Sequence, residues 1–256
     1  VYNFLKEIGS GYMQFIPVVE RLAEKAEGDN LSLVSPEFGG SALVTDWSVE
    51  SLQFGNFYCA IFDEWVRKDV GKIFIQLFDV SLEMWYGFQP SLCVFKKTCG
   101  SAMIIEHNGD IYSCDHYVYP KNKLGNIMEN PLELLVNSDQ QRKFGNDKLA
   151  LLPQYCKSCE VRFACNGECP KHRFIKTPDG EDGLNYLCAG YKKFFNHIDI
   201  YMKFMVNELK GGRSASNIMA WLIEKDKGFP NLKPQRNELC PCGSGIKYKY
   251  CCFRNI

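Results

Sequence analysis

Eight cysteines between residues 93 and 188 restrict the fold of this chain more than any other feature. They follow the spacing C-x5-C-x14-C and then, after a long gap, C-x2-C-x5-C-x3-C and one distal cysteine. Thiolate sulfur is a soft ligand, so this close spacing suits iron–sulfur clusters, zinc or cuprous copper. The number is enough for two iron–sulfur clusters with four ligands each, and zinc is the structural alternative because C-x2-C pairs also build zinc ribbons. The eight are Cys93, Cys99, Cys114, Cys156, Cys159, Cys165, Cys169 and Cys188.

The composition narrows the class of protein. Lys+Arg and Asp+Glu balance at 30 each over 256 residues, so no overall field favours nucleic acid or a membrane surface. We find no signal peptide and no apolar run of about 18 residues, so neither secretion nor a membrane span is indicated. Thirteen cysteines are many for such a chain, and the close-spaced ones among them are interpreted as metal ligands in a reducing, cytoplasmic setting, and not as disulfides.

The cysteine pattern resembles one known family. Gly109 lies between Cys99 and Cys114 and gives C-x9-G-x4-C. With C-x2-C-x5-C-x3-C and the distal Cys188, this resembles the SPASM domain of radical S-adenosylmethionine enzymes. The upstream Cys93 and the run Cys114-Asp115-His116 resemble the anaerobic sulfatase-maturating enzymes in particular, over roughly residues 1–210.

The resemblance implies a division of the ligands between two auxiliary 4Fe–4S clusters. All eight family positions are filled, so neither cluster would have an open iron, and electron transfer fits better than Lewis-acid catalysis. The cluster nearer the active site would be held by Cys93, Cys99, Cys114 and Cys169, and the outer cluster by Cys156, Cys159, Cys165 and Cys188.

Asp115 is the residue with the clearest implied chemical role. By resemblance it is the general base, placed directly after a ligand cysteine; taken alone, it reads as a hydrogen-bonded Asp at a strand end. His116 and His107 could each donate to a cluster sulfur, although a structural or surface role is favoured for both. Cys59 has no cysteine neighbour in its predicted helix, so we interpret it as a buried small hydrophobe.

The resembled family oxidises a Cys or Ser of a sulfatase polypeptide to Cα-formylglycine. S-adenosylmethionine is cleaved at a third 4Fe–4S cluster, the resulting radical takes a hydrogen from the substrate Cβ, and an electron leaves through the auxiliary clusters. The implied partners are the sulfatase polypeptide and a reductant such as flavodoxin or ferredoxin.

The C-x3-C-x2-C motif that binds the third cluster is absent from this sequence. The chain also begins inside a predicted helix that ends near Gly9, so we expect an inactive fragment that lacks the half holding S-adenosylmethionine. Two alternatives remain open: another SPASM peptide-modifying maturase, such as a thioether-forming enzyme, or a non-catalytic iron–sulfur and zinc binding module.

The predicted fold class is α/β, with the C-terminal part of a partial (β/α)6 barrel over 1–90 and a SPASM domain of a β-hairpin, loops and helices over 91–210. Strands are predicted at Tyr12–Val19 and Lys72–Asp79, and helices at Ser48–Val70, Ser81–Tyr86, Tyr191–Leu209 and Ser216–Lys225. Asn108-Gly109 predicts a type I′ turn in a hairpin from Met103 to Cys114. Leu124–Ile127 is predicted to lead into a helix that begins at Pro131.

The tail is a separate unit. Residues 211–233 read as a linker with a short helix, and residues 234–256 resemble the SEC-C motif. A segment of about 20 residues cannot build a core, so a metal would supply its folding free energy. One zinc would be bound by Cys240, Cys242, Cys251 and Cys252. Its basic residues could contact a protein or the ribosome, or could simply be solvated.

Overall fold

A computed structural model describes residues 1–23, 33–36, 38, 42–228, 236–237 and 246–250. These residues form two compact units. The first comprises Val1–Gln14, Gly55–Tyr86 and Lys193–Ile256, and the second comprises Phe15–Phe54 and Gly87–Lys192. Among the described residues, none of the helices has the length and apolar character needed to cross a bilayer.

The secondary structure alternates short strands with helices of four to 23 residues. In chain order the elements are α1 (Tyr2–Glu7), β1 (Tyr12–Met13), β2 (Arg21–Ala23), β3 (Ala42–Val44), α2 (Ser51–Lys68), β4 (Phe74–Ile75), α3 (Gln76–Tyr86), β5 (Ile104–Ile105), β6 (Asp110–Tyr112), β7 (Lys123–Asn126), α4 (Leu132–Val136), α5 (Asp139–Ala150), α6 (Gln154–Lys157), α7 (Arg162–Cys165), β8 (Ile175–Lys176), β9 (Asp182–Leu184), α8 (Cys188–Lys210) and α9 (Asn217–Gly228).

An aromatic core holds the first unit together. Phe62 of α2, Phe78 of α3 and Phe194 of α8 are all fully buried. The ring centroids of Phe62 and Phe78 are 5.1 Å apart, and those of Phe78 and Phe194 are 5.7 Å apart. Each fully buried Phe contributes about 1.5–3 kcal/mol relative to exposure. This packing explains the apolar stripe that predicted the long helix of residues 48–70.

The first unit contains only one strand pair among its described residues. β1 pairs with β4 in parallel, with Tyr12 opposite Phe74 and their rings stacked at 5.0 Å. The strand predicted for residues 72–79 is wrong beyond Ile75, because α3 begins at Gln76 and buries Leu77, Phe78 and Val80. A short apolar run fits a strand or a buried helix equally well, and here the helix forms. The strand predicted for residues 12–19 likewise ends at Met13.

Gly9 ends α1 as predicted. Its φ is +87°, its N–H donates to the Lys6 carbonyl at 2.9 Å, and the Ser10 N–H donates to the Leu5 carbonyl at 3.0 Å. This pair of bonds is the Schellman arrangement, in which a residue past the helix end takes a left-handed conformation that glycine adopts without strain.

A three-stranded antiparallel sheet, ordered β5-β6-β7, lies in the second unit. The predicted hairpin is present, but its type I′ turn is wrong. That turn needs positive φ at both central residues, and of Asn108 and Gly109 only Gly109 has one. The Asn108 side chain instead accepts the Asp110 N–H at 3.1 Å, which fixes Asn108 by a local side-chain bond.

The segment after the hairpin is the third strand of this sheet. β7 pairs with β6, with Ile111 opposite Gly125. The prediction that Leu124–Ile127 only leads into a helix therefore missed this strand, and the helix itself, α4, begins one residue later than predicted, at Leu132. The sheet fixes the end of β6, and Cys114 and Asp115 follow directly.

Candidate metal centre

The structure brings all eight cysteines into the second unit and groups them in two sets of four. In the first quartet, defined as Cys93, Cys99, Cys114 and Cys169, the thiols act on one another electrostatically: Cys99 with Cys93, Cys114 with Cys99, and Cys169 with both Cys99 and Cys114. In the second quartet, Cys156, Cys159, Cys165 and Cys188 are linked in the same way. The division of these cysteines into two ligand sets, implied by the family resemblance, stays a prediction.

One cavity is lined by all four cysteines of the second quartet, together with Tyr155, Arg162 and Lys192. Two short helices and the beginning of the long helix α8 place three of the sulfurs at this cavity. Cys156 lies in α6, Cys165 is the last residue of α7, and Cys188 is the first residue of α8. The Cys159 N–H donates to the Cys156 carbonyl at 3.2 Å, which fixes the C-x2-C turn.

Backbone contacts fix the first quartet. The Cys99 N–H donates to the Gly145 carbonyl of α5 at 3.1 Å. Gly145 allows this approach, since a Cβ there would lie 2.7 Å from the Cys99 carbonyl oxygen. Cys114 directly follows the β6 end of the sheet, and Cys169 directly precedes a 3-10 turn at Pro170–His172.

Burial is the largest cause of the shifts in the pKa values of these thiols. It raises the pKa of Cys188 to about 11, with smaller contributions from Cys156 and Cys159. Burial also raises the pKa of Cys114 to about 12, helped by its hydrogen bond to Asp115. These thiols therefore stay protonated in the metal-free chain, and metal binding must release their protons.

Asp115 contacts the first quartet directly. Its Oδ1 accepts hydrogen bonds from Sγ of Cys114 and from the His116 N–H, both at 3.0 Å. Burial raises the pKa of the Asp115 carboxyl, but the Cys114 hydrogen bond and the His116 charge together lower it below its usual value. The side chain is exposed, so a second molecule can reach it while it touches a ligand sulfur.

The two histidines singled out in the sequence differ in position. Nδ1 of His116 lies 3.6 Å from Sγ of Cys169, whereas His107 is exposed in the turn between β5 and β6. Cys59 lies in α2 of the first unit, outside both quartets, and burial raises its pKa to about 12. The predicted zinc ligands Cys240, Cys242, Cys251 and Cys252 lie outside the described residues.

Sequence reasoning missed two cations beside the cysteines, one buried and one half-buried. Lys148 is 1% exposed, and its Nζ donates to the carbonyls of Cys93 and Val94 at 3.1 and 2.8 Å. Arg173 donates to backbone carbonyls near both quartets. Neither residue belongs to a cysteine motif or to an apolar stripe, so no local pattern in the sequence marks them.

The donor set fits iron–sulfur clusters. Each quartet offers four thiols, the usual complement for a 4Fe–4S cluster. The nearby cations Lys148 and Arg173 offset the negative charge that four thiolates would introduce. Residues 93–160 match the SPASM family, described as an iron–sulfur cluster-binding domain. This chain carries a SPASM domain. Residues 236–254 match the SEC-C motif.

Several similar proteins are named anaerobic sulfatase-maturating enzymes. A serine-type anaerobic sulfatase-maturating enzyme of Bacteroides thetaiotaomicron is 50% identical over 218 residues, which are 85% of this chain and 52% of that protein. A serine-type enzyme of Klebsiella aerogenes is 28% identical over 82% of this chain and 46% of that protein. A cysteine-type enzyme of Clostridium perfringens is 27% identical over 82% of this chain and 52% of that protein. This chain thus spans about half the length of the curated relatives it matches.

Solved structures agree with these relatives. The structure described as native anSMEcpe with bound AdoMet and Cp18Cys peptide matches with a TM-score of 0.65 and 27% identity, covering 82% of this chain and 54% of that one. The predicted resemblance and the predicted fold class, part of a radical S-adenosylmethionine fold followed by a SPASM domain, are confirmed. The domain boundaries proposed from the sequence stay predictions.

Proposed function

We propose that this chain is part of an enzyme that oxidises a residue of a sulfatase polypeptide to Cα-formylglycine. The observation that carries the proposal is the contact between the Asp115 carboxylate and the Cys114 thiol at 3.0 Å. It puts a base beside a proposed cluster ligand, so a proton and an electron can leave the substrate at the same place. The names of the relatives support the reaction class.

Each quartet would hold one 4Fe–4S cluster. When bound, these clusters supply one-electron acceptors, and their four cysteine ligands leave no iron open to substrate. The protein's part is to keep the first quartet within reach of the substrate and to bury the sulfurs. Cys240, Cys242, Cys251 and Cys252 of the SEC-C motif would bind one zinc as a four-cysteine structural site.

Asp115 would act as the general base. In the metal-free chain its Oδ1 accepts a hydrogen bond from the Cys114 thiol. A cysteine bound to iron is a thiolate and has no proton to donate. Cluster binding therefore frees Oδ1 to accept the hydroxyl or thiol proton of the substrate, provided that the two heavy atoms come within about 2.6–3.2 Å.

The proposed substrate residue is a serine, because the 50% identical relative is a serine-type enzyme, and cysteine is the alternative. S-adenosylmethionine and a third cluster would be held by residues outside this sequence, which has no C-x3-C-x2-C motif. A flavodoxin or ferredoxin would supply the electron for each turnover.

The test is to produce the full-length protein that contains this chain together with a sulfatase, under anaerobic conditions. Mass spectrometry of the sulfatase active-site peptide should show the loss of two hydrogens from serine and a product that reacts with hydrazides as an aldehyde does. An unchanged serine and an unchanged cysteine, or a thioether cross-link in place of the aldehyde, would overturn the proposal.

A further inference from the structure

The segment from Cys165 to Cys169 connects the two quartets, since its first residue belongs to the second quartet and its last to the first. The three residues between them all have positive φ, at +46° for Asn166, +73° for Gly167 and +49° for Glu168. A left-handed conformation is unfavourable for a residue other than glycine, because its Cβ approaches the following carbonyl oxygen. Asn166 and Glu168 are both buried. Something in their surroundings must hold this crossover segment in its unusual shape.

Arg173 supplies that support. Its Nε donates to the Gly167 carbonyl at 2.9 Å, and its Nη2 donates to the carbonyls of Asn166 and Glu168 at 3.0 and 3.2 Å. Three consecutive carbonyls of the crossover segment therefore converge on one guanidinium. Nη1 donates to the Lys148 carbonyl at 2.6 Å. The planar guanidinium, called the fork below, is thereby also fixed to α5.

Gly167 is needed for this contact. A Cβ at this position would lie 2.7 Å from Nη2 of Arg173 and 2.3 Å from Cδ2 of Leu152. The crossover segment and the guanidinium are thus packed directly against each other, and neither can shift without moving the other.

The charge of Arg173 acts on both quartets. Burial lowers its pKa, while Cys156 and Cys165 of the second quartet and Cys99 of the first raise it. The carboxylate of Glu168 also acts electrostatically on the guanidinium of Arg173. Its Oε2 is hydrogen-bonded to Asn185 at 2.6 Å and to His172 at 3.1 Å. Reduction adds negative charge to a cluster, and a nearby half-buried cation favours the more negative state.

We propose that Arg173 is a positioning residue shared by both cluster sites. Its fork holds the crossover segment so that Cys165 and Cys169 face their separate quartets, and its charge favours the reduced state of both clusters. The inference rests on the clusters of the proposed function but not on formylglycine formation, so the two can fail separately.

The test compares three variants of the full-length protein after anaerobic reconstitution: Arg173→Gln, Arg173→Lys and, as a control, Arg142→Gln. Arg142 is exposed on α5, where solvent and salt screen its charge. Iron and sulfide content report assembly, and EPR-monitored titration reports the reduction potential of each cluster.

For Arg173→Gln we expect less iron and sulfide, and at least a tenfold loss in the equilibrium constant for reducing each cluster, equal to a shift of about −59 mV for one electron. Arg173→Lys keeps the charge but loses the fork, so it should lose iron while the clusters that assemble keep nearly parental potentials. Arg142→Gln should match the parent in both measurements.

Parental iron content and parental potentials in Arg173→Gln would overturn the inference, and so would an effect confined to one cluster. If Arg173→Gln does not fold, Gly167→Ala provides a second test, because its Cβ displaces the guanidinium without removing the charge. That variant should lose iron at unchanged potential, and full loading of it would also contradict the role of the fork.

Discussion

Oδ1 of Asp115 and Sγ of Cys114 lie 3.0 Å apart, in residues adjacent along the chain. The sheet β5-β6-β7 fixes the strand that these residues follow, so their position depends on a rigid element. In the proposed function, Asp115 as base and Cys114 as cluster ligand would give the departing proton and electron neighbouring acceptors.

Replacing Asp115 with Asn should abolish most formylglycine formation and leave the clusters in place. The amide is nearly isosteric but cannot take up a proton, and loss of a general base typically lowers the rate by about a hundredfold or more. The measurement is the rate of aldehyde formation in a sulfatase peptide, together with iron content.

Asp139→Asn is the matched control, because the Asp139 side chain is 98% exposed at the start of α5. It should keep parental activity. Turnover of Asp115→Asn at the parental rate would show that Asp115 serves only the local structure.

Removing one sulfur should empty one quartet only. Cys188→Ala takes a ligand from the second quartet, so iron should fall from about eight to about four per chain while the first cluster remains. Iron and sulfide assays with EPR will distinguish the two clusters. The control is Cys59→Ala, which removes a buried thiol of the first unit and should leave iron content unchanged. Equal iron loss in both variants would argue against the assignment of the quartets.

The ligand spacing could be predicted from the sequence because part of it is local: C-x2-C holds Cys156 and Cys159 close together whatever the rest of the chain does. The apolar residues that recur every three or four positions in α2 and α8 likewise predict these two helices. The strand at residues 72–79 was misread because a short apolar run serves a buried helix equally well. Lys148 and Arg173 could not be found, since their carbonyl partners are set by tertiary packing and leave no mark in the local sequence.

Gly145→Ala should reduce the amount of iron bound by the first quartet. Alanine normally stabilises a helix interior by about 1 kcal/mol relative to glycine. Here its Cβ would lie 2.7 Å from the Cys99 carbonyl oxygen and push the ligand segment away. We therefore expect iron to fall toward about four per chain.

Asn146→Ala provides the comparison for Gly145→Ala, since Asn146 is the exposed neighbour in the same helix. It should keep full iron content. Full loading of Gly145→Ala would mean that the close approach of α5 to Cys99 is dispensable.

Asp79 should make stability depend on pH. Burial, and then the charge of Glu83, raise its pKa from 3.8 to about 6 in the folded chain. The folded state therefore binds this proton more tightly than the unfolded state, and stability falls as the pH rises through this interval. Asp79→Asn should be more stable than the parent by about 1 kcal/mol at pH 8, after allowance for solvent screening, and the gain should shrink at pH 5.

Urea unfolding at the two pH values measures this difference. The exposed Asp179→Asn should show no comparable dependence on pH. An equal gain for Asp79→Asn at pH 5 and pH 8 would exclude the raised pKa as its cause.

The most direct test of the account is the metal and sulfide content of the anaerobically reconstituted chain, read together with its Mössbauer spectrum. Two four-cysteine sites predict about eight irons and eight sulfides, all in 4Fe–4S clusters, and the SEC-C motif predicts about one zinc. A colourless protein that holds two or three zinc ions and no inorganic sulfide would contradict the redox role of both quartets.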